Sequence, residues 1–546
     1  MTLNAEESKN ENYIKKQFGF RLRSLTDIQW LVIFCLAAIA LWTISLGNVP
    51  LRDWDEGSHA MVSRELYRTG NWLYLTFFGQ PYFMKPPLGY WIVASSYHLF
   101  GGVSELTTRL PVALLTAMGV PLLYLVGREV FPRRLSAILS ASVYLTLLPV
   151  VRHGRLMMLD GLVNTFFILL LFALLKARKQ RLWAIAIGVC LAAIALTKGI
   201  LVFPLWAIAG ALILCDRDWK IFKNPYAWLG LILGATFALS WYYSQWLKYG
   251  DLFIQVHLGS QNFDRIATVV EGNDGPPWYY LIELLKYSFP WLLFWPGGLI
   301  LAWQHSSFSS LDRLKKGTPN SWANLILVGT IIFLTTISLM GTKLPWYVMP
   351  LYPFFALAVG AKLTQLAEKP KRYSLFLVAF FGLLTFVGFA GCGYFIVADP
   401  QPTLILMGIG VAVTMGLTAW RMQKRDRIFI PILAIGMYLS LALLMTSTSW
   451  NWELNEQFPV VRIGALIREN TPRERVIYTS FAYNRPSLDF YSDRAVNPAD
   501  LPALRQHWQS GDYLLLDASA LAQLSPPQRA ILGTADGFTL VGPISQ

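Results

Sequence analysis

Residues 29–56 read QWLVIFCLAAIALWTISLGNVPLRDWDE. The apolar run from Gln29 to Leu46 is long enough to cross a ~30 Å hydrocarbon core as a helix. Just beyond it, Asp53-Trp54-Asp55-Glu56 sets three carboxylates in four positions. A polar segment up to Asp27 precedes the run and no small-residue cleavage motif follows it, so it reads as a retained span rather than a signal peptide. Ionisable groups beside a span are functional candidates, because removing them from water is costly. The bland alternative is a solvated connector. That suits this segment poorly, since it is long and aromatic rather than rich in Gly and Ser.

The rest of the chain has the same character. Of 546 residues, 55% are hydrophobic and 14% charged, against about 25% charged in an ordinary soluble domain. Apolar runs recur at 28–47, 107–126, 135–151, 159–176, 182–199, 200–215, 228–248, 279–302, 322–341, 345–363, 374–396, 403–420 and 428–448. They predict an α-helical polytopic membrane protein of about thirteen transmembrane helices over residues 1–450. The net charge of +14 does not imply nucleic acid, because the basic residues fall in short loops between spans. One set of loops holds Lys15, Lys16, Arg21 and Arg23, then Arg128, Arg133 and Arg134, then Lys176 to Arg181, Arg217 to Lys223, Arg313 to Lys316, Lys369 to Arg372 and Arg421 to Arg427. The positive-inside rule places these loops and the N-terminus in the cytoplasm, and thirteen spans then put the C-terminus outside the cell's inner membrane. Cys35, Cys190, Cys215 and Cys392 lack metal-ligand spacing and read as packing residues.

With this orientation the unusual polar residues gather on the outer side: Asp53, Asp55, Glu56, Lys85, Arg152, His153, Arg155, Asp160, Lys198, His257, Asp264, Arg265 and Lys343. The first outer loop, 48–106, contains two stretches suited to helices in the interface plane, Ser58 to Arg68 and Leu88 to Phe100. Residues 451–546 have ordinary charge and no span, and predict a small soluble α/β domain outside the cytoplasm. Its expected strands are Arg475 to Tyr478, Leu488 to Tyr491, Tyr513 to Leu516 and Phe538 to Val541. Its expected helices are Phe458 to Arg468, Ala503 to Gln509 and Pro527 to Leu532.

Carboxylates and cations together at an outer face suit the activation of a hydroxyl beside a bound lipid phosphate. Asp55 or Asp53 supplies the base, and Lys85, Lys198, Arg265 or Lys343 the positive charge. Each also has a structural reading. Glu56 can neutralise its neighbours, Arg155 can pair with Asp160, and Lys198 and Lys343 can snorkel to headgroups. His153 and His257 read as satisfied polar contacts rather than metal ligands, and Trp241, Tyr242, Tyr243 and Trp246 as interface aromatics. No Walker loop, Rossmann fingerprint or His-Glu-x-x-His motif is present.

Several motifs together carry a resemblance. They are Trp54-Asp55-Glu56, Gly70-Asn71-Trp72, Lys85-Pro86-Pro87-Leu88-Gly89-Tyr90-Trp91, Arg155-Leu156-Met157-Met158-Leu159-Asp160, Thr197-Lys198-Gly199, Asn262-Phe263-Asp264-Arg265 and Thr342-Lys343-Leu344-Pro345-Trp346-Tyr347. The chain resembles the bacterial polyprenyl-phosphate-sugar glycosyltransferases, which include the lipid A aminoarabinose transferases and are similar to protein O-mannosyltransferases. The resemblance implies a GT-C fold and inverting transfer of a sugar from a polyprenyl-phosphate donor to a lipid, glycan or protein acceptor. It implies Asp55 as catalytic aspartate with Glu56 beside it, and Lys85 and Arg265 as donor-phosphate ligands joined by Lys198 and Lys343. Asp53, Arg155 and Asp160 support them. In the aminoarabinose transferases a glutamate commonly precedes the lysine of Lys-Pro-Pro and can contribute to a metal site. Here that position is Met84, whose thioether suits a hard cation poorly, so no metal or other cofactor is expected. The competing classes are a secondary transporter, which would show paired halves, and a lipid-linked oligosaccharide ligase or polymerase, which would carry its large outer loop late in the chain.

Overall fold

In the computed structural model, residues 25–270, 272–309, 321–368, 373–451 and 460–543 are described. The basic residues before Ser24, those at 313–316 and 369–372, and the stretch 452–459 just after the expected domain boundary lie outside them.

All thirteen apolar stretches fall on helices. By length and apolarity alone, eight described helices can cross a membrane, or nine if the bent pair Arg134–Leu145 and Leu148–Arg155 counts as one span. The lower number has identifiable causes. The expected spans at 182–199 and 200–215 form one run broken at Gly199, where φ is +50°. The stretch at 279–302 divides into Tyr279–Tyr287, Trp291–Phe294 and Trp295–His305. The first apolar helix, Asp27–Thr43, has 17 residues and a Thr26/Gln29 capping box.

Helix packing follows the small residues. Gly188, on the helix Ala184–Lys198, lies directly against the backbone at Gly230 on Pro225–Tyr249, and Gly234 lies against Gly188, so a β-carbon at any of them would strike main chain. Such small-residue contacts let membrane helices approach closely. Leu159–Ala177 and Pro345–Glu368 are the most enclosed helices, whereas Leu375–Ala398 is mostly on the outside.

The first loop forms helices Asp55–Thr69 and Leu88–Phe100, joined through a short antiparallel pair, β1 (Thr76–Phe77) and β2 (Gln80–Pro81). Near the C-terminus, β3 (Ile477–Thr479), β4 (Val496–Pro498), β5 (Tyr513–Asp517), β6 (Ile531–Ala535) and β7 (Phe538–Val541) form one sheet in the order β4-β3-β5-β7-β6. β3 runs parallel to β4 and β5, and the β7 pairings are antiparallel. Alternation along β5 sends Leu515 to a core with Ile463, Ile467 and Leu488, and Leu514 and Leu516 to a second core with Leu504 and Ala520.

Two expectations fail in this region. Leu488 to Tyr491 is helical, within Pro486–Ser492, because Pro486 presets the first turn and Leu488 packs into the sheet's core. Pro527 to Leu532 yields only a 3₁₀ turn, Gln528–Ala530, before β6 begins at Ile531 and pairs with β7.

Candidate active site

The helix Asp55–Thr69 opens with Asp55 and Glu56 in its first turn, a favourable place for negative charge. The two carboxylates then diverge. Glu56 is fully buried. Its oxygens accept from Arg109 Nε and Nη2 (both 2.8 Å), from the Arg52 amide (2.6 Å) and from the Met157 amide (2.9 Å). Four bonds saturate a carboxylate. The expectation of a catalytic Glu56 is therefore corrected: it is a structural ion pair, and Arg109 also ties down the carbonyls of Leu46, Val49 and Pro50. Asp55 accepts no hydrogen bond and forms no ion pair among the described residues. Burial opposes its charge, but His59, Arg52, Lys198 and Lys85 around it hold its pKa below the ordinary carboxylate value.

Asp53 points the other way. Its Oδ1 accepts from the Ser487 amide (3.1 Å) and hydroxyl (2.8 Å), and its Oδ2 pairs with Arg485 (3.1 Å). Trp54, held between Asp53 and Asp55, has φ +59° and stacks on Tyr483. Arg64, one face of the same helix on, donates to the Phe490 carbonyl and pairs with Asp493. Tyr491 donates to Glu105 and accepts from the Leu51 amide. Asp53 thus joins the first loop to the C-terminal segment, and is not part of the pocket.

That pocket is a partly open cleft beside the first loop. Lys85, Lys198, Gly199, His257, Asn262, Arg265 and Tyr347 are among its walls. Lys85 has no hydrogen bond or ion pair among the described residues, and burial, with Lys198 and Arg265 close by, pushes its pKa down to about 7. Lys198 donates to both oxygens of Asp160 (2.7 and 2.8 Å) and lies over the Tyr347 ring. Asp55, Asp160, Arg155 and Lys343 are not on its wall, although Asp55 lies near enough to feel the charges of Lys85 and Lys198. Arg155 holds the carbonyls of Leu41, Trp42 and Ile44 and lies over Trp450, so the expected pairing of Arg155 with Asp160 is replaced by Lys198 with Asp160. Lys343 donates to the carbonyls of Ser338 and Met340, closing the C-terminal end of the helix Ser321–Leu339 instead of reaching a phosphate.

Among the described residues no cluster of three or more His, Cys, Asp or Glu fits a metal ion. Met84 lines the pocket beside His257. A thioether and one imidazole do not make a site for a hard cation.

The sequence model of the dolichyl-phosphate-mannose-protein mannosyltransferase family matches residues 84–243, a stretch that begins beside Lys85 and includes Asp160 and Lys198. The undecaprenyl phosphate-α-4-amino-4-deoxy-L-arabinose arabinosyl transferase 1 of Pseudomonas fluorescens Pf-5 is 29% identical over 373 residues, 66% of this chain and 64% of that relative. Arabinosyl transferase 2 of Pseudomonas fluorescens Pf0-1 is 28% identical over 76% of this chain and 74% of its own length. The crystal structure of ArnT from Cupriavidus metallidurans bound to undecaprenyl phosphate superposes with a TM-score of 0.76 at 18% identity, covering 94% of this chain and 98% of that one. The chain shares the fold of that transferase and is similar in sequence to the polyprenyl-phosphate-sugar glycosyltransferases. The same fold extends to the archaeal oligosaccharyltransferase AglB of Archaeoglobus fulgidus, at a TM-score of 0.53 and 12% identity over 90% of this chain and 69% of that one.

Sequence reasoning missed Arg109, Arg485 and Ser487. Arg109 carried the one available signal, a lone arginine at the start of an apolar run. Nothing local marks Arg485 or Ser487 as partners of a residue more than four hundred positions earlier.

Proposed function

We propose that the protein transfers a sugar, with inversion, from a polyprenyl-phosphate donor to an acceptor hydroxyl on a lipid, glycan or protein. The reaction is placed at the outer face of the inner membrane, with the N-terminus cytoplasmic and residues 451–546 forming an extracytoplasmic domain. One observation carries the reading. Among the charged groups in and around the pocket, Glu56, Asp53, Arg155 and Lys198 are engaged by other groups, whereas the Asp55 carboxylate and the Lys85 ammonium have no such partner among the described residues. The names of the arabinosyl transferase relatives, whose donor is an undecaprenyl phosphate sugar, support it.

The chemistry follows from these charges. Asp55 is ionised and takes the acceptor's hydroxyl proton. The acceptor oxygen bonds to the sugar's anomeric carbon as the bond from that carbon to the phosphate oxygen breaks. The electron pair passes to the phosphate, whose charge grows from one to two. Lys85 and Arg265 meet that charge, and Lys198 adds to the field while it holds Asp160. Electrostatic stabilisation of this kind is often the largest catalytic contribution. It needs no metal here. The donor's own negative charge offsets the surrounding cations and raises the basicity of Asp55 when it is required.

The test uses purified full-length protein. Asp55→Asn is expected to lower transfer by roughly 10²–10⁴-fold while polyprenyl phosphate still binds. Lys85→Ala is expected to weaken that binding, and wild-type transfer is expected to persist through exhaustive chelation. Wild-type turnover in Asp55→Asn, or unchanged lipid-phosphate affinity in Lys85→Ala, overturns the assignment.

A further inference from the structure

Trp54 stands between Asp53 and Asp55 with φ +59° and ψ −105°, a backbone conformation that a bulky L-residue rarely adopts. Such a conformation persists only where surrounding contacts over-determine it, and it concentrates at functional sites. The contacts here form a closed circuit. Asp53 Oδ2 pairs with Arg485 Nη1 at 3.1 Å, and Arg485 Nη2 donates to the Tyr483 hydroxyl at 2.6 Å. The Tyr483 ring then stacks on Trp54, with centroids 5.6 Å apart and planes 24° from parallel. Despite this packing Trp54 is 47% and Tyr483 45% exposed. Two large aromatic side chains, one from the first loop and one from the C-terminal segment, are thus fixed in position and left uncovered.

Stereochemistry says what this surface faces. Inverting transfer brings the acceptor oxygen to the side of the donor sugar opposite the departing phosphate, and the base stands on that side. Lys85 and Arg265 draw the phosphate into their pocket, and neither Trp54 nor Tyr483 is on its wall. Asp55 is half-buried, and the residue joined to it outside the pocket is Trp54. An acceptor that reaches Asp55 without crossing the phosphate pocket has the two rings beside it.

We propose that Trp54 and Tyr483 form the acceptor subsite, a platform that stacks on a sugar ring of the acceptor and directs one of its hydroxyls to Asp55. The proposal rests on the reading of Asp55 as the base. A pyranose carries C–H bonds on its faces and hydroxyls around its rim, so it matches the electron-rich face of an aromatic ring with polar groups at the edge. The Tyr483 hydroxyl accepts from Arg485 and keeps its own proton to donate, and the exposed Asn484 adds an amide. Rings already held in one orientation lose little entropy on binding. Aromatics that only anchor a protein among headgroups need neither an ion pair to align them nor a positive φ.

The experiment measures binding of three lipids to the full-length protein in nanodiscs. Two are glycerolipids, one with a hexopyranose headgroup and one with the corresponding open-chain hexitol, and the third is polyprenyl phosphate. The wild type is expected to bind the pyranose lipid about three- to tenfold more tightly than the hexitol lipid. Trp54→Gly removes the indole and suits the positive φ. It should bring the ratio close to one and leave the polyprenyl phosphate affinity unchanged, and Tyr483→Ala should do the same. A preference that survives in both variants overturns the proposal, and so does a wild type that favours the hexitol or binds neither headgroup. Equal weakening of the two glycerolipids in both variants also overturns it, because the rings would then be bilayer anchors. Loss of polyprenyl phosphate binding in both overturns it too, since the rings would then only hold the first loop. Failure of the base reading appears separately, as wild-type transfer by Asp55→Asn.

Discussion

Lys85 is the residue whose state depends most on what occupies the pocket. Its pKa is about 7, since burial, Lys198 and Arg265 all disfavour the ammonium. A bound phosphodiester favours the charged form, so the pKa in the complex lies above that of the free protein. Donor affinity is therefore greatest below about pH 7 and falls as pH rises toward the value in the complex. Binding near neutrality takes up a proton. A sugar phosphodiester does not itself titrate between about pH 5 and 9, so the slope belongs to the protein. Calorimetry in buffers of different ionisation enthalpy should show this uptake, and Lys85→Arg, charged throughout, should remove it. At this scale motif and charge single out Asp55, Lys85 and Arg265, and the structure sets Lys85 and Arg265 on one pocket wall. The sequence misled at Glu56 and Lys343, because a carboxylate or ammonium looks the same in sequence whether it faces a ligand or a buried guanidinium or a row of carbonyls.

The element that matters most is the helix Asp55–Thr69. It is fastened on opposite sides: to Arg109 through Glu56, and to the helix Pro486–Ser492 through Asp53, Arg64 and the close approach of Gly57 to the Ser487 backbone. Breaking a buried ion pair of the Glu56–Arg109 kind costs about 3–5 kcal/mol. The Asp53 contacts are more exposed at the Arg485 end and orient rather than hold. Arg485→Ala combined with Ser487→Ala is expected to lower kcat several-fold while donor affinity stays at the wild-type value, because Lys85 and Arg265 are not touched. A parallel loss of donor binding would show that these contacts merely maintain the fold. The first-loop helices were legible from amphipathic spacing at Ser58 to Arg68 and from a short apolar run at Leu88–Phe100, which begins and ends where the sequence placed it. The strand expected at Leu488 was not, since a short buried apolar run has no period that separates strand from helix.

At the scale of the molecule, hydropathy located every candidate span among the described residues but could not count spans where helices break at Gly199 or divide near Pro290. Orientation is the property that charge bias alone decides. Single cysteines at Thr534, near the C-terminal end of the sheet, and at Lys179, between two spans, in a background with the four native cysteines replaced, should react oppositely with an impermeant maleimide in intact cells. Thr534 is expected to label and Lys179 to label only after lysis; the reverse pattern would invert the topology. The contacts of Asp53 have one more consequence, in time rather than space. Its partners are 432 and 434 residues further along the chain, so they emerge from the ribosome long after the first loop. Through most of its synthesis the nascent protein lacks the segment that fixes Asp53. A translation product that stops before Arg485 would therefore be left in the membrane without the alignment needed for full activity.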